Sequence, residues 1–258
     1  MENKLALITG ASGGIGEAFG HVLAAEGHDL VLVARRDQEL HRVKGVITSK
    51  VPVAVHVIAL DLNETGAVDA LMAELARKNL VPGVVINNAG FGLIGPMAEL
   101  SRDEQLRMVD LNVRVLTDLT LRFLPAMVAS KSGGIINVAS VAGFMAGPMM
   151  AVYFATKNYV LSFGDALNSE LRGTGVTLTT LCPGTVKTGF QARAGQNERG
   201  STLSAFDVAS QGWAGFKAKR RVVIPGILNQ MTAYGLRITP RRLSLPFIKQ
   251  VMSRRRAT

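Results

Sequence analysis

The sequence has few of the residues that cross-link small secreted domains. It contains one cysteine, Cys182, among 258 residues, and only 5% of the residues are aromatic. A single cysteine excludes an intramolecular disulfide, and its position in the apolar run 176–182 predicts a buried thiol in a reducing cytosol. A chain of this length buries roughly three quarters of its unfolded surface without such staples. We therefore expect a cytoplasmic protein with an ordinary hydrophobic core.

A long uninterrupted apolar segment is also missing. Residues 132–156 carry no charge and are long enough to cross a bilayer, but several glycines, Asn137 and Pro148 divide them into a strand and a loop. The chain runs from Met1 almost directly into an apolar strand, without the pattern of a signal peptide. We predict neither a transmembrane helix nor a secretory leader.

Acidic residues are absent from the end of the chain. The last forty residues hold ten Lys or Arg and no Asp or Glu, whereas residues 1–218 hold nineteen of each kind. The net charge of +10 therefore describes a basic extension over about residues 226–258. Within it, residues 241–256 are predicted to form a helix with Leu245, Ile248 and Met252 on one face.

This basic helix has three interpretations. It could lie on an anionic membrane surface, but we favour packing on its own domain or on a partner subunit. Nucleic-acid binding is not expected, because no aromatic platform accompanies the charges.

Seven short runs rich in Val, Ile and Leu alternate with longer segments of helical periodicity. Runs without strict polar alternation are typical of strands that are covered on both faces. Repeated strand–helix units predict an α/β fold in one domain over residues 1–258, with a doubly wound seven-stranded parallel sheet and helices on both faces. The predicted strands span 4–9, 29–34, 53–59, 83–87, 133–139, 176–181 and 221–225, and the helices 14–26, 38–49, 64–78, 102–130, 152–172 and 204–217. In the helix 102–130, the spacing predicts one face formed by Leu106, Val109, Val113, Leu116 and Thr120.

A glycine-rich loop joins the first strand to the first helix. Gly10, Gly14 and Gly16 allow a tight turn and a close approach of backbone N–H groups to a pyrophosphate, with Ser12 and Ile15 between them. The spacing differs from the usual Gly-x-Gly-x2-Gly fingerprint, so a connector without a ligand is the alternative. The flanking strand and helix favour a dinucleotide site.

Two arginines follow the second strand. An NAD site normally has an acid here for the ribose 2′-hydroxyl, whereas arginine accommodates the 2′-phosphate of NADP. Arg35 and Arg36 could also be a solvated pair. Because cations are unfavourable near a helix N-terminus, a nearby anion is the better explanation. We predict NADP(H) as the preferred cofactor, with NAD(H) usable.

Ser140, Tyr153 and Lys157 form a candidate reacting centre. Tyr153 and Lys157 are one helical turn apart and therefore share a helix face. A nearby lysine cation would stabilise the phenolate and bring the tyrosine pKa toward neutral pH, and a serine hydroxyl could orient a substrate oxygen. A tyrosine and a lysine four residues apart also occur on ordinary amphipathic helices. Ser140 and the glycine loop favour catalysis, and no metal site is predicted.

Over residues 4–226 the chain resembles the short-chain dehydrogenase/reductase family, in its branch of about 250 residues. The resemblance implies a single-domain Rossmann fold and assigns further cofactor contacts. These are Asp61 and Leu62 at the adenine ring, Asn88, Ala89 and Gly90 after the fourth strand, and Pro183, Gly184, Val186 and Thr188 around the nicotinamide carboxamide.

The resemblance also implies the reaction. Tyr153 would exchange a proton with a carbonyl or alcohol oxygen, Ser140 would polarise that oxygen, and Lys157 would hold the nicotinamide ribose. Asn112 would support a water that links Lys157 to solvent. The family's NADP-preferring members often carry a basic residue where this chain has Gly13, so the preference for NADP should be real but not absolute.

The substrate is expected to be apolar. Segments 90–96, 142–150 and 189–206 should line its pocket, and the last of them, rich in glycine, is expected to act as a lid. We predict a ketone, an aldehyde or an alcohol rather than a small acid. The apolar residues in these segments are Phe91, Leu93, Phe144, Met145, Met149, Met150 and Phe190.

Two wider expectations complete this interpretation. The resemblance implies a homodimer or homotetramer formed through the helices 102–130 and 152–172.

The alternative function is a non-catalytic dinucleotide sensor or scaffold, because a fold alone does not confer activity. Such proteins usually lose the tyrosine or the lysine, and this chain retains both.

Overall fold

One parallel sheet organises the chain. The structure, a computed structural model, describes residues 4–195 and 203–256. Seven strands pair in the order β3-β2-β1-β4-β5-β6-β7, and every pair is parallel. This order is that of a Rossmann fold and confirms the predicted sheet. The strands are β1 (Leu5–Thr9), β2 (Asp29–Ala34), β3 (Val55–Ala59), β4 (Val84–Asn87), β5 (Gly134–Val138), β6 (Thr177–Leu181) and β7 (Val222–Val223).

Each predicted helix is present within a few residues of its expected bounds, and two short helices were not predicted. The unpredicted helices are α7 and α9. The helices are α1 (Gly14–Ala25), α2 (Asp37–Thr48), α3 (Ala67–Arg77), α4 (Arg102–Val109), α5 (Leu116–Ser130), α6 (Ala151–Glu170), α7 (Phe190–Ala194), α8 (Ala205–Lys217), α9 (Ile227–Ile238) and α10 (Arg241–Ser253).

The sheet buries both of its faces because successive strand side chains point to opposite sides. Ile8 of β1 belongs to a core that includes side chains of α1, α2 and α8, whereas its neighbour Leu7 belongs to a core that includes α3, α5 and α6. Both side chains are fully buried. Helices therefore cover the two faces, as the apolar runs predict. Cys182 is buried beyond β6, where burial raises the pKa of its thiol to about 12.

The predicted helix 102–130 is interrupted by one wide turn. Residues Asp110–Val115 form a π-helical segment between α4 and α5. Such a turn inserts an extra residue and rotates the helix face that follows it. Of the residues predicted to share one helix face, Leu106 and Val109 are 47% and 39% exposed, whereas Leu116 and Thr120 beyond the wide turn are buried. The wide turn buries Val115 and the polar side chain of Asn112, which is fully inaccessible.

The basic C-terminal extension forms α9 and α10. On α10, Ile248 is 4% exposed, and Leu245 and Met252 are half-buried, so the predicted apolar face packs on the chain's own domain. Arg256 beyond the helix pairs with Glu99 at 3.1 Å. Within residues 4–195 and 203–256, no helix is long and apolar enough to cross a membrane.

Candidate active site

A cavity of about 840 Å³ opens at the carboxyl ends of the strands. In open α/β sheets this edge is where ligands bind. It brings together every predicted site residue except Gly16 and Asn112, which lie against residues that line it. The lining residues that were predicted are Gly10, Ser12, Gly14, Ile15, Arg35, Arg36, Asp61, Leu62, Asn88, Ala89, Gly90, Ser140, Tyr153, Lys157, Pro183, Gly184, Val186 and Thr188.

The glycine loop is held against the segment that follows β4. Gly10 has a φ of +67°, and a Cβ on it would lie 2.8 Å from Asn88 Nδ2. The Asn88 amide donates to the carbonyl oxygen of Thr9 at 2.9 Å, and the Thr9 hydroxyl accepts the N–H groups of Asn88 and Ala89 at 3.0 Å. A Cβ on Gly16 would collide with the Gly10 carbonyl oxygen. Only glycine therefore fits at these two positions of the loop.

The two arginines after β2 point to different partners. Arg36 Nη2 donates to the hydroxyl of Ser12 at 3.2 Å and to its carbonyl oxygen at 3.1 Å. Arg35 lies 3.7 Å from Asp61, which also pairs with Arg107 at 3.3 Å. Arg36 and Ser12 thus form a polar pair beside the glycine loop, whereas Arg35 is partly neutralised by a carboxylate. Arg107 was not singled out in the sequence, because it lies 46 residues from Asp61 along the chain.

Ser140 terminates β5 and starts a short turn. Its hydroxyl accepts the N–H of Ala142 at 3.1 Å and donates to the carbonyl oxygen of Pro183 at 3.4 Å. Asn158 on α6 then fixes the turn, since its amide donates to the carbonyl oxygens of Ala142 and Met145 at 3.1 and 2.8 Å. These contacts fix the position of Ser140 at the cavity wall.

Tyr153 and Lys157 are both buried on α6, at 9% and 5% exposure. Burial raises the pKa of Tyr153 to about 12, and a hydrogen bond with Ser140 opposes that rise. Burial also lowers the pKa of Lys157 to about 8. Lys157 Nζ donates to the carbonyl oxygen of Val138 at 2.8 Å and lies 6.0 Å from the Tyr153 ring centroid.

The expected downward shift of the Tyr153 pKa is therefore wrong for this structure. The cause is desolvation, which disfavours the phenolate, while the ammonium is directed at a backbone carbonyl. Tyr153 is consequently a protonated hydrogen-bond donor at neutral pH.

Asn112 connects the loop after β4 with α6. Its side-chain oxygen accepts the N–H of Phe91 at 3.1 Å, and its amide donates to the Phe91 carbonyl oxygen at 2.9 Å and to Thr156 Oγ1 at 3.1 Å. A Cβ on Gly90 would lie 2.8 Å from the Asn112 oxygen and 3.6 Å from Lys157 Nζ. Asn112 thus fixes the loop after β4 against α6 through direct contacts.

The segment after β6 closes the cavity from the opposite side. A Cβ on Gly14 would lie 3.1 Å from Thr188 Cγ2, so this segment touches the glycine loop. The buried side chain of Gln191 accepts the N–H of Thr188 at 3.3 Å. The ring of Phe190 lies 5.5 Å from that of Tyr153. Of the expected lid 189–206, residues 196–202 lie outside the described residues.

Part of the predicted apolar lining is confirmed. Phe91, Met145, Met150 and Phe190 line the cavity, but Leu93, Phe144 and Met149 do not. The last three pack against neighbouring apolar clusters instead.

The C-terminal helices form a wall that sequence reasoning missed. The apolar face of α10 was predicted from the sequence, but nothing in the sequence indicated which surface of the domain this face would cover. Arg255, just beyond α10, donates from Nη1 to Thr185 Oγ1 at 3.1 Å inside the cavity. The other lining residues of this wall are Leu228, Asn229, Thr232, Leu236, Phe247, Ile248, Val251 and Met252.

Comparison with known families agrees with this geometry. The family model described as short chain dehydrogenase matches residues 4–199. This chain belongs to the short-chain dehydrogenase family. It is an oxidoreductase of that family.

Individual relatives of this short-chain dehydrogenase differ in what they act on. A sulfoacetaldehyde reductase from Chromohalobacter salexigens is 38% identical over 215 residues, which are 79% of this chain and 84% of the relative. A short-chain dehydrogenase from Sphingobium yanoikuyae, solved in complex with NADPH, superposes with a TM-score of 0.81 at 31% identity and covers 90% of this chain and 91% of its own.

The bulky-bulky ketone specific alcohol dehydrogenase from Comamonas testosteroni has a TM-score of 0.79 at 28% identity. It covers 99% of this chain and 96% of its own length.

Proposed function

We propose that the chain interconverts a carbonyl compound and an alcohol by hydride exchange with a nicotinamide dinucleotide, preferably NADP(H). One observation carries this proposal. Ser140, Tyr153 and Lys157 line the same end of a cavity whose other end is lined by the glycine loop and two arginines. A hydroxyl, a phenol and a buried ammonium at one spot are the groups that carbonyl reduction requires.

The residues present fit the dinucleotide. Gly10 and Gly16, where a Cβ would collide with backbone or with Asn88, allow the tight turn that would bring backbone N–H groups to a pyrophosphate at the start of α1. The bound dinucleotide supplies the hydride. Arg36 with Ser12 would hold a 2′-phosphate, and Arg35 would assist, because guanidinium binds phosphate oxygens bidentately. The neighbouring Asp61, with Leu62, would face the adenine end, and Asn88, Ala89 and Gly90 would line the adenosine.

Tyr153 is proposed as the general acid in the reducing direction. It is protonated at neutral pH, since burial raises its pKa to about 12, and it therefore has a proton to give to the nascent alkoxide. Ser140 would hold the carbonyl oxygen in place, and Lys157 would hold the ribose of the dinucleotide and favour the phenolate left behind. Oriented acid catalysis of this kind contributes about 10²–10⁴ in rate. Asn112 would act by positioning the loop after β4 against α6.

Pro183, Gly184, Val186 and Thr188 are proposed to face the nicotinamide end of the dinucleotide. They lie in the segment that touches both Ser140 and the glycine loop.

The substrate is proposed to be a largely apolar ketone, aldehyde or alcohol. Met150, Phe190 and Met252 pack in the apolar cluster that contains Tyr153, and Phe247 also lines the cavity. Flexible methionines adapt to substrates of different shapes. The Comamonas relative is described as specific for bulky ketones. Substrates of that size are compatible with this wall and with the volume of the cavity.

We also propose that the chain is a homo-oligomer whose C-terminal extension serves the substrate cavity rather than a membrane or a nucleic acid. Leu106, Leu121 and Tyr159 are exposed on α4, α5 and α6, the helices expected to form the interface. The position of α10 on the cavity wall supports the proposed role of the C-terminal extension at the substrate cavity. A non-catalytic sensor is disfavoured, because such proteins usually lose the tyrosine or the lysine, and this chain retains both Tyr153 and Lys157.

The test is NADPH oxidation, followed by absorbance, with aldehydes, aromatic ketones, β-ketoacyl esters, steroids and sugars. NADH and Tyr153→Phe serve as controls. We expect turnover that favours NADPH, and we expect the variant to bind NADPH but to lose most turnover. Tight NADPH binding without turnover of any compound would favour the sensor, and near-normal turnover by Tyr153→Phe would refute the mechanism.

A further inference from the structure

Arg255 is a cation of the cavity that takes no part in the chemistry proposed above. Arg255 follows α10 and reaches into the cavity, where Nη1 contacts the hydroxyl of Thr185 at 3.1 Å. Its neighbours along the chain fix this position. Arg256 pairs with Glu99 at 3.1 Å, and Met252 packs against the apolar cluster that contains Tyr153. The guanidinium is thus held at the substrate end of the cavity.

The described residues around Arg255 supply its guanidinium with no carboxylate partner. Among residues 4–195 and 203–256, no carboxylate lies within 4.0 Å of its guanidinium. Among the lining residues that the structure describes, the one acid is Asp61, and its carboxylate is already shared by Arg35 and Arg107. A half-buried guanidinium whose one hydrogen-bond partner among the described residues is a neutral hydroxyl favours binding of an oxyanion.

Arg255 is close enough to the reacting centre to touch a substrate. Thr185, which it contacts, is two residues from Pro183, and two residues span at most about 7 Å. The carbonyl oxygen of Pro183 lies 3.4 Å from the hydroxyl of Ser140. An oxyanion at Arg255 and a carbonyl at Ser140 can therefore belong to one substrate molecule.

We propose that Arg255 forms an anion-binding subsite that selects carbonyl substrates carrying a carboxylate or sulfonate group. The substrate is then amphipathic, with its carbonyl at Ser140 and Tyr153, its apolar part against the methionine and phenylalanine side chains, and its acid group at Arg255. This inference rests on the proposed function and names the substrate class of the same site. Thr185 positions the guanidinium when no substrate is bound.

Matched substrates test the subsite. The keto acid levulinate and its methyl ester are reduced with saturating NADPH, and kcat/KM is measured for wild type, Arg255→Met, Arg255→Lys and Arg254→Met. Arg254 is exposed and serves as the matched control. Hydrogen bonds to charged groups contribute about 1.5–3 kcal/mol, so Arg255→Met should lower kcat/KM for the acid roughly 10- to 100-fold and that for the ester less than threefold. Arg255→Lys should restore part of the loss, and Arg254→Met should change neither substrate.

The outcomes separate this proposal from the proposed function. Equal losses for acid and ester, or no loss for either, would overturn the subsite while leaving the reductase intact. In a second series with NADPH varied, a raised KM for NADPH with both substrates would assign Arg255 to the dinucleotide and would also overturn the subsite.

If wild type reduces neither compound, the calorimetric titration of levulinate into the NADPH-loaded protein decides the question. Binding by wild type that Arg255→Met loses supports the subsite, and binding that is equal in both, or absent from both, overturns it.

Discussion

Replacing Lys157 by methionine should make the protein more stable although it removes a proposed catalytic group. Burial lowers the pKa of Lys157 from 10.5 to about 8, and the gap between these values corresponds to about 3 kcal/mol. Methionine removes this penalty, but the variant also loses the 2.8 Å hydrogen bond from Lys157 to Val138, which costs about 1 kcal/mol. A net gain of about 2 kcal/mol raises the Tm of a chain of this size by roughly 4–8 °C.

The pH dependence of the stability difference between Lys157→Met and wild type identifies the buried ammonium as its cause. Below pH 8 the folded state carries the desolvated ammonium and the full penalty applies. Between pH 8 and pH 10.5 the folded state loses this proton before the unfolded state does, so wild type becomes more stable and the advantage of the variant shrinks. Above pH 10 the raised pKa of Tyr153 acts in the opposite direction, because the folded state then resists an ionisation that the unfolded state undergoes.

The assay is thermal unfolding by circular dichroism at pH 7 and pH 9.5, without added dinucleotide. Lys249→Met is the control, since Lys249 is exposed on α10 and its replacement should change stability by less than about 0.5 kcal/mol. A Lys157→Met protein that is less stable than wild type at pH 7 would refute the reasoning. So would a stability gap that does not narrow at pH 9.5.

Three further predictions concern the dinucleotide and the proton. Arg36→Met should reduce the preference for NADPH over NADH about 10- to 100-fold in kcat/KM, because it removes charged hydrogen bonds to the 2′-phosphate; an unchanged ratio would assign the phosphate to Arg35 alone. Gly16→Val should abolish NADPH binding measured by fluorescence while circular dichroism stays native, since a Cβ there collides with Gly10; retained binding would contradict the loop geometry. With its pKa raised to about 12, Tyr153 should support reduction at a constant rate from pH 6 to 8, whereas alcohol oxidation, which needs the phenolate, should accelerate by up to tenfold per pH unit. Oxidation that is fastest at pH 6 would contradict this assignment.

The sheet could be predicted from the sequence because the patterns that indicate strands are local. Each strand is a short apolar run followed by a turn, and Gly10 and Ser140 lie at strand ends where a parallel sheet brings them to one edge. Tyr153 and Lys157 needed only the helical period to be placed on one face. These features depend on spacing along the chain, and the structure has them where the spacing predicts.

The features that the sequence did not reveal depend on long-range packing. The π-helical turn at Asn112 is stabilised by contacts with Phe91 and Thr156, which lie 21 and 44 residues away. The pKa of Tyr153 depends on how completely the surrounding side chains exclude water. Arg255 contacts Thr185 at a separation of 70 residues. No local pattern in the sequence specifies any of these contacts.

The central claim is a direct hydride transfer at the end of the cavity that Tyr153 lines. NADPH carrying deuterium at both C4 positions is incubated with the best carbonyl substrate of the panel, and the alcohol product is analysed by mass spectrometry and NMR. We expect one deuterium per molecule on the carbon that bears the new hydroxyl group, and no such product from Tyr153→Phe beyond a trace. Alcohol without deuterium at that carbon, or labelled alcohol formed equally fast by the variant, would contradict the account.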